Sequence, residues 1–214
     1  MEFIETMLCE NGQVELLEFH LDRLKWGLYQ NDIHSVNLIL AQAKLTILSN
    51  LPEDSKKYKI RYLIHIDPKD NFLEKIEKIP LAHSQKSCLE IGIYNKVNKK
   101  IAPPWNAKTT ERALYQSAMN WALGNELNDA LILNENGHVI ETSIYNIFIL
   151  KNNVLFTPPI SDMPVKGVFR TWLIQNSAFK IIEQSLSVKD ILSADLILLT
   201  NAVQGIRLGK ITQF

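Results

Sequence analysis

Between Asn95 and Asn106 the chain reads NKVNKKIAPPWN, a basic stretch with two adjacent prolines and no hydrophobic period. A proline removes a backbone donor and fixes φ, so this stretch fits neither a helix interior nor a central strand. Patterned sequence lies on both sides of it. The chain is therefore expected to fold as two α/β domains, an N-terminal one over 1–100 and a C-terminal one over 101–214, each large enough to bury a core of its own.

Ahead of that linker, Phe3 to Cys9 alternates as a strand, ENG reads as a turn, and QVELL as a short strand or lead-in. Leu17, Leu21, Leu24 and Leu28 follow a helical period, and VNLILAQAKLTIL repeats it up to Leu48. KYKIRYLIHI alternates as a strand, with further strands expected around Ile76–Leu81 and Ser87–Tyr94. Beyond the linker the pattern predicts a helix over Thr109–Leu123 and a strand at DALILN. After the turn ENG, HVIETSIYNIFIL reads as strand, bend and strand. VLFTPP is a short strand stopped by prolines, and GVFRTWLIQNSA a helix opening near Gly167. KIIEQSL reads as a strand, SVKDIL as a short helix with a Ser187/Asp190 capping box, and ADLILLTNA as the final buried strand.

Charge and composition exclude several classes of function. Lys plus Arg (23) equals Asp plus Glu (23), so no bulk field favours nucleic acid or an anionic membrane. No apolar run reaches the roughly 18 to 20 residues a bilayer span needs, and MEFIETMLCENG lacks the pattern of a signal peptide. A cytoplasmic protein is the expectation, with neither nucleic acid nor membrane as partner. Cys9 and Cys88 make no metal spacing and are expected to be buried, inert thiols. The five histidines show no HxH or HExxH, so no metal is expected. Trp105, Trp121 and Trp172 read as packing residues, and His20 as a packing or helix hydrogen-bonding residue.

Lys108 stands out. It lies between the rigid IAPPW and the helical pattern, with no carboxylate within two positions on either side. The order of segments here resembles the class IV aminotransferase family, the fold type IV pyridoxal-phosphate enzymes. The likeness rests on FIET (Phe3–Thr6), HLDRL (His20–Leu24), Lys108 before a helix, VIETSIYNIF (Val139–Phe148), and KGVFR followed by LTNA. It implies a two-domain fold like that of D-amino-acid aminotransferase, here with a shortened N-terminus, and pyridoxal 5'-phosphate as cofactor. It implies that Lys108 is the Schiff-base lysine and proton carrier, and that Glu141 holds the pyridine nitrogen. Arg23, Gly167, Val168, Thr200 and Asn201 are implied as the phosphate cradle, and Asn146 as a residue that ties down the bend. A small amino-acid-like substrate and a homodimer are implied as well.

The same resemblance offers two reactions. Branched-chain aminotransferases tend to carry a tyrosine five positions after the lysine, where this chain has Ala113. They also tend to read Gly-Ile/Val-Thr where this chain has Gly167-Val168-Phe169-Arg170. Arg170, and Arg112 four positions after the lysine, have more company among 4-amino-4-deoxychorismate lyases. The lyase reaction, releasing 4-aminobenzoate and pyruvate, is the leading expectation, and an amino-acid aminotransferase of branched-chain or D-amino-acid type the alternative. A cofactor-binding pseudoenzyme is the further alternative. HIDPKDNF stands where lyases commonly have a glycine-rich loop, and Arg61 and His65 are candidates for a substrate carboxylate.

Overall fold

The computed structural model describes residues 1–82, 87–95 and 107–213. Apart from Asn95, the linker reading of 95–106 lies outside the described residues, as do Trp105 and the expected boundary near residue 100. Two compact units emerge, one within 1–84 and 106–111, the other within 85–105 and 112–214.

The first unit contains β1 (Glu2–Glu10), β2 (Gln13–Val14), α1 (Leu17–Gln30), α2 (Val36–Ser49), β3 (Lys57–Ile66) and β4 (Phe72–Pro80). Its antiparallel sheet runs β2-β1-β3-β4. Asn11 and Gly12, at φ 51° and 69°, make the turn between β1 and β2 in the left-handed region that glycine and asparagine tolerate. The period-2 alternation of β1 sends Phe3, Met7 and Cys9 into one core with Ile60, Tyr62 and Ile64 of β3. Leu21, Leu24 and Leu28 of α1 and Ile39, Ala43 and Ile47 of α2 cover that core at helical spacing. β4 begins at Phe72, four residues before the expected Ile76, because Phe72 to Glu74 carry on the ladder opposite Ile66 to Ile64.

The extended segment after Ala107 belongs to this unit too. The Lys108 carbonyl accepts the Ile4 N–H at 2.9 Å, Thr110 N–H donates to the Glu2 carbonyl at 3.1 Å, and Thr109 bridges Phe3. This corrects the helix expected from Thr109. Two β-branched threonines are drawn out along the β1 edge, and α3 starts only at Ala113.

The second unit contains β5 (Cys88–Tyr94), α3 (Ala113–Gly124), β6 (Asp129–Leu133), β7 (Val139–Thr142), β8 (Asn146–Lys151) and β9 (Val154–Thr157). A 3₁₀ turn (Ile160–Asp162), α4 (Val168–Asn176), β10 (Ile181–Glu183), α5 (Val188–Leu192), β11 (Leu196–Asn201) and β12 (Gly205–Gln213) complete it. The capping box forms as expected, with Ser187 accepting from Asp190 N–H and Asp190 from Ser187 N–H. The KIIEQSL strand is only three residues long, and the strand expected to be last is followed by β12, which lies antiparallel to it.

The mixed sheet has the order β10-β9-β8-β11-β12-β5-β6-β7. β7 and β8 are consecutive in the chain yet five positions apart in that order. A flat sheet would separate them by about 24 Å, whereas the four peptide steps from Thr142 to Asn146 reach about 15 Å at most. The sheet therefore curls. α3 packs on Tyr94, Ala130, Ile132 and Ile140, and the opposite core gathers Ile91, Leu131, Ile147, Ile149 and Leu199. Among the described residues no helix is long and apolar enough to cross a membrane.

Gly92 of β5 lets α3 sit close. A Cβ there would lie 2.5 Å from Leu127 Cδ1 and 2.7 Å from Trp121 Cη2. Gly92→Ala is expected to destabilise the protein by about 1–3 kcal/mol, measured as a lowered denaturant midpoint with unchanged slope.

Candidate active site

In the first unit, the alternation that buries Phe3 and Met7 also turns Glu5 inward, leaving it 3% exposed. A buried carboxylate requires charged or hydrogen-bonding partners. His20 and Arg23 supply them, since their i, i+3 spacing puts both on the core face of α1. Arg23 Nε donates to Glu5 Oε1 at 2.9 Å, Arg23 Nη2 pairs with Oε2, and His20 Nδ1 lies 2.6 Å from Oε2. Burial alone would raise the Glu5 pKa. The Arg23 charge and the hydrogen bonds from His20 and Arg23 outweigh it and hold the carboxyl at about 2. His20 is lowered, first by burial, with the Arg23 and Lys108 charges adding to it against the pull of Glu5. The lowered pKa favours the neutral imidazole, whose Nδ1 contacts Glu5 while its buried Nε2 has no partner among the described residues.

Arg23, expected in a phosphate cradle, thus spends two of its donors on Glu5. Lys108 is positioned by its backbone along the β1 edge, close enough for its charge to act on His20. Sequence reasoning passed over Glu5, although its place at an inward register of an otherwise apolar strand face was the signal.

In the second unit, Glu141 of β7 is 4% exposed. Tyr115 Oη donates to its Oε1 at 2.6 Å, Val165 N–H to the same oxygen at 2.8 Å, and Asn146 Nδ2 to Oε2 at 2.7 Å. Asn146 also donates to the Val165 carbonyl at 3.0 Å. The bend between β7 and β8 is fixed from below by Asp129, which is fully buried. Asp129 accepts from Thr142 Oγ1 at 2.7 Å, Ser143 N–H at 3.0 Å and Ser143 Oγ at 2.5 Å. Arg112, at the N-cap of α3, donates to the Ser143 carbonyl at 2.6 Å, and its guanidinium lies 5.1 Å from the Tyr115 ring centroid. Tyr115 and Asp129 were missed in the sequence. The i, i+3 spacing of Arg112 and Tyr115 is local, whereas their partners lie 31 and 26 residues on, at Ser143 and Glu141.

Gly167 caps α4 in an extended conformation with no side-chain cap, so the first N–H groups of Val168 and its neighbours are not taken by a capping side chain. Glycine is required here for space rather than for φ. A Cβ would fall 1.7 Å from Asn146 Oδ1. Thr200 of β11 is the register partner of Asn146, is fully buried, and its hydroxyl has no hydrogen-bond partner among the described residues. Gly167, Val168, Asn146 and Thr200 therefore form one neighbourhood. Asn201 does different work, its Oδ1 accepting from Val203 N–H at 3.0 Å and Gln204 N–H at 2.8 Å to close the turn into β12. Arg170 binds the Pro158 carbonyl at 2.8 Å and Glu183 at 2.6 Å.

Other candidates lie elsewhere. Arg61 pairs with Glu77 at 2.7 Å and His65 is exposed on β3. Cys9 is buried as expected, but Cys88 is only half-buried, at the start of β5. No group of three or more His, Cys, Asp or Glu able to hold a metal ion comes together among the described residues.

Residues 2–210 match the family described as amino-transferase class IV. The aminodeoxychorismate lyase of Vibrio harveyi is 33% identical over 86 residues, 39% of this chain and 32% of the lyase. Matches to the first three curated relatives span 27% to 46% of those proteins' own lengths. Among solved structures, a branched-chain aminotransferase of Thermoproteus uzoniensis with norvaline superposes with a TM-score of 0.82 at 20% identity. That overlap covers 98% of this chain and 77% of the other. The pyridoxal-phosphate-bound form of a hypothetical aminotransferase from Mycobacterium tuberculosis gives 0.83 at 18%, covering 98% and 81%. These likenesses show the fold.

The buried Glu5–His20 pair sets the acid limit of stability. Both groups have folded pKa values below their unfolded ones, about 4.5 and 6.5, so both stabilise above those values and cease to as pH falls. Stability is expected to decline once pH drops below about 6.5 and again between 4.5 and 2, the Glu5 step being on the order of 3 kcal/mol. In His20→Gln, urea midpoints followed against pH should lose the first decline and keep the second.

Proposed function

Because the chain belongs to the class IV aminotransferase family, we propose that it is a pyridoxal-phosphate-dependent enzyme acting on a small amino-acid-like molecule. The observation that carries the cofactor is the buried, partnerless hydroxyl of Thr200 beside the uncapped start of α4. A phosphate oxygen accepts from both kinds of donor, and the helix dipole favours its charge. On this reading Gly167, Val168 and Thr200 hold the phosphate and Glu141 the ring nitrogen, while the family likeness implies Arg23 as a further phosphate ligand and Lys108 as the holder of the aldehyde carbon. The donor set fits the group.

When bound, the cofactor supplies an aldehyde that captures an amine and a ring that withdraws electrons. The protein's part is positioning and proton transfer. Glu141, which accepts from Tyr115, Asn146 and Val165, would pair with the ring nitrogen. Lys108 would hold the aldehyde, and its ε-amine, when free, would take the proton from the carbon bearing the substrate amine. In the lyase reaction the electron pair freed by that proton would form the ring's new double bond as the neighbouring C–O bond breaks, so that enolpyruvate leaves, takes up a proton to become pyruvate, and 4-aminobenzoate remains. Ala113, exposed at the first position of α3 where branched-chain aminotransferases tend to carry tyrosine, supports the lyase over amino transfer. The expected assembly is a homodimer.

Purified protein given pyridoxal phosphate should acquire a visible absorbance band that borohydride fixes to the wild-type chain and not to Lys108→Ala. Pyruvate release from 4-amino-4-deoxychorismate then marks the lyase. Conversion of the cofactor to its amine form by amino acids, without pyruvate, marks an aminotransferase. A bound, borohydride-fixed cofactor with neither reaction marks a non-catalytic binder.

Thr200→Val supplies an independent check. Removing a hydroxyl that has no partner should leave the melting temperature of the cofactor-free protein unchanged or raise its stability by about 1 kcal/mol. Pyridoxal phosphate affinity, measured by fluorescence titration, should fall about tenfold, the loss of one charge-assisted hydrogen bond.

A further inference from the structure

We propose that Tyr115 sets the charge of Glu141, and through it the protonation of the cofactor's ring nitrogen; the second half rests on the functional reading above. Three donors converge on this carboxylate, and they differ in kind. Val165 contributes a backbone N–H. Asn146 is also tied to the Val165 carbonyl and packed against Gly167. Tyr115 comes from a separate element, α3, and meets Glu141 Oε1 at 2.6 Å, closer than Val165 N–H at 2.8 Å.

The phenol is suited to donating without ever giving up its proton. Burial, then the charge of Glu141 and the hydrogen bond to it, push its pKa well above the ordinary value, against a smaller opposing effect of Arg112. Arg112 also fixes where the phenol points. Its guanidinium lies over the ring at 5.1 Å while its Nη2 is anchored 2.6 Å from the Ser143 carbonyl, at the bend that follows Glu141. Arg112 on α3 is a charged group held beside this pair, and Asp129 of β6, beyond the bend, is occupied by Thr142 and Ser143.

A donor to the charged form makes a carboxylate a weaker base. Facing a pyridine nitrogen, a weaker base leaves the shared proton on the ring, where it strengthens electron withdrawal. Tyr115 is therefore a positioning residue, acting on the cofactor only through Glu141.

The test has a cofactor-free arm and a loaded arm. With ¹³C-labelled glutamate in the cofactor-free protein, Tyr115→Phe is expected to move the Glu141 carboxyl titration up by about one pH unit. With 3-fluorotyrosine at position 115, which keeps the shape and strengthens the donor, it should move down. With ¹⁵N-labelled pyridoxal phosphate bound, the ring-nitrogen shift of Tyr115→Phe should move from the wild-type position toward that of neutral pyridine. A carboxyl titration unmoved by both substitutions overturns the proposal, and so does a moved titration with an unmoved ring nitrogen. Wild-type protein that binds no pyridoxal phosphate overturns the functional reading and the ring-nitrogen half with it. The cofactor-free titration tells that failure apart from a failure of Tyr115 to act on Glu141.

Discussion

A carboxylate removed from water persists only where donors replace its hydration, and three such groups organise this chain. Glu5, Asp129 and Glu141 are 3%, 0% and 4% exposed. Asp129 comes first in the order of dependence. By binding Thr142 and Ser143 it shapes the bend that brings β7 back to β8, and the curl of the eight-stranded sheet follows from how short that bend is. Glu141 and Asn146 flank the bend, so the spacing between them is inherited from Asp129. Asn146 in turn decides that residue 167 must be glycine, because its carboxamide oxygen fills the space a Cβ would need. One buried carboxylate thereby fixes, in sequence, a turn, a sheet curvature, the orientation of a second carboxylate and the start of a helix.

In the first unit the same logic acts on a smaller scale. Glu5 faces a helix on which His20 and Arg23 are spaced to meet it, and the pair locks α1 onto β1 through its polar face as well as through Leu21 and Leu24. The backbone of Lys108 then docks along the start of that same strand. The sequence pattern placed the residue just ahead of a helix, and a strand-edge backbone bond holds it instead.

Much of this was legible in the sequence, and the parts that were not share a physical cause. Alternation in FIETMLC, KYKIRYLIHI and VIETSIYNIFIL found the strands, and the local Ser187/Asp190 box was read correctly, because these signals lie within a few residues of one another. The errors came where a distant surface competes with local propensity. Thr109 and Thr110 follow a helical pattern but are claimed by β1, more than 100 positions earlier. β12 has no continuous apolar run, alternating exposed Ile206, Leu208 and Lys210 with Gly209, whose Cβ would meet Ile91 Cδ1 at 2.9 Å and Leu199 Cδ1 at 3.1 Å. The family likeness pointed to Lys108, Arg23, Glu141, Gly167, Val168, Thr200 and Asn201. It did not point to Glu5 or Tyr115, which matter through hydrogen bonds between elements.

The buried polar atoms left without partners sharpen the distinction between structural and ligand-facing groups. Thr142 and Thr157 are as buried as Thr200, yet their hydroxyls bind Asp129 and the Ile147 carbonyl. Arg170 Nε also has no partner, but the same guanidinium is satisfied by Pro158 and Glu183, and a delocalised cation with occupied arms tolerates one idle N–H. Thr200 has no second group to fall back on, and a valine of nearly the same shape would fill its place without the cost of an unpaired hydroxyl. Among the described residues nothing meets this hydroxyl at the end of β11, beside the start of α4, where the proposed phosphate would supply an acceptor.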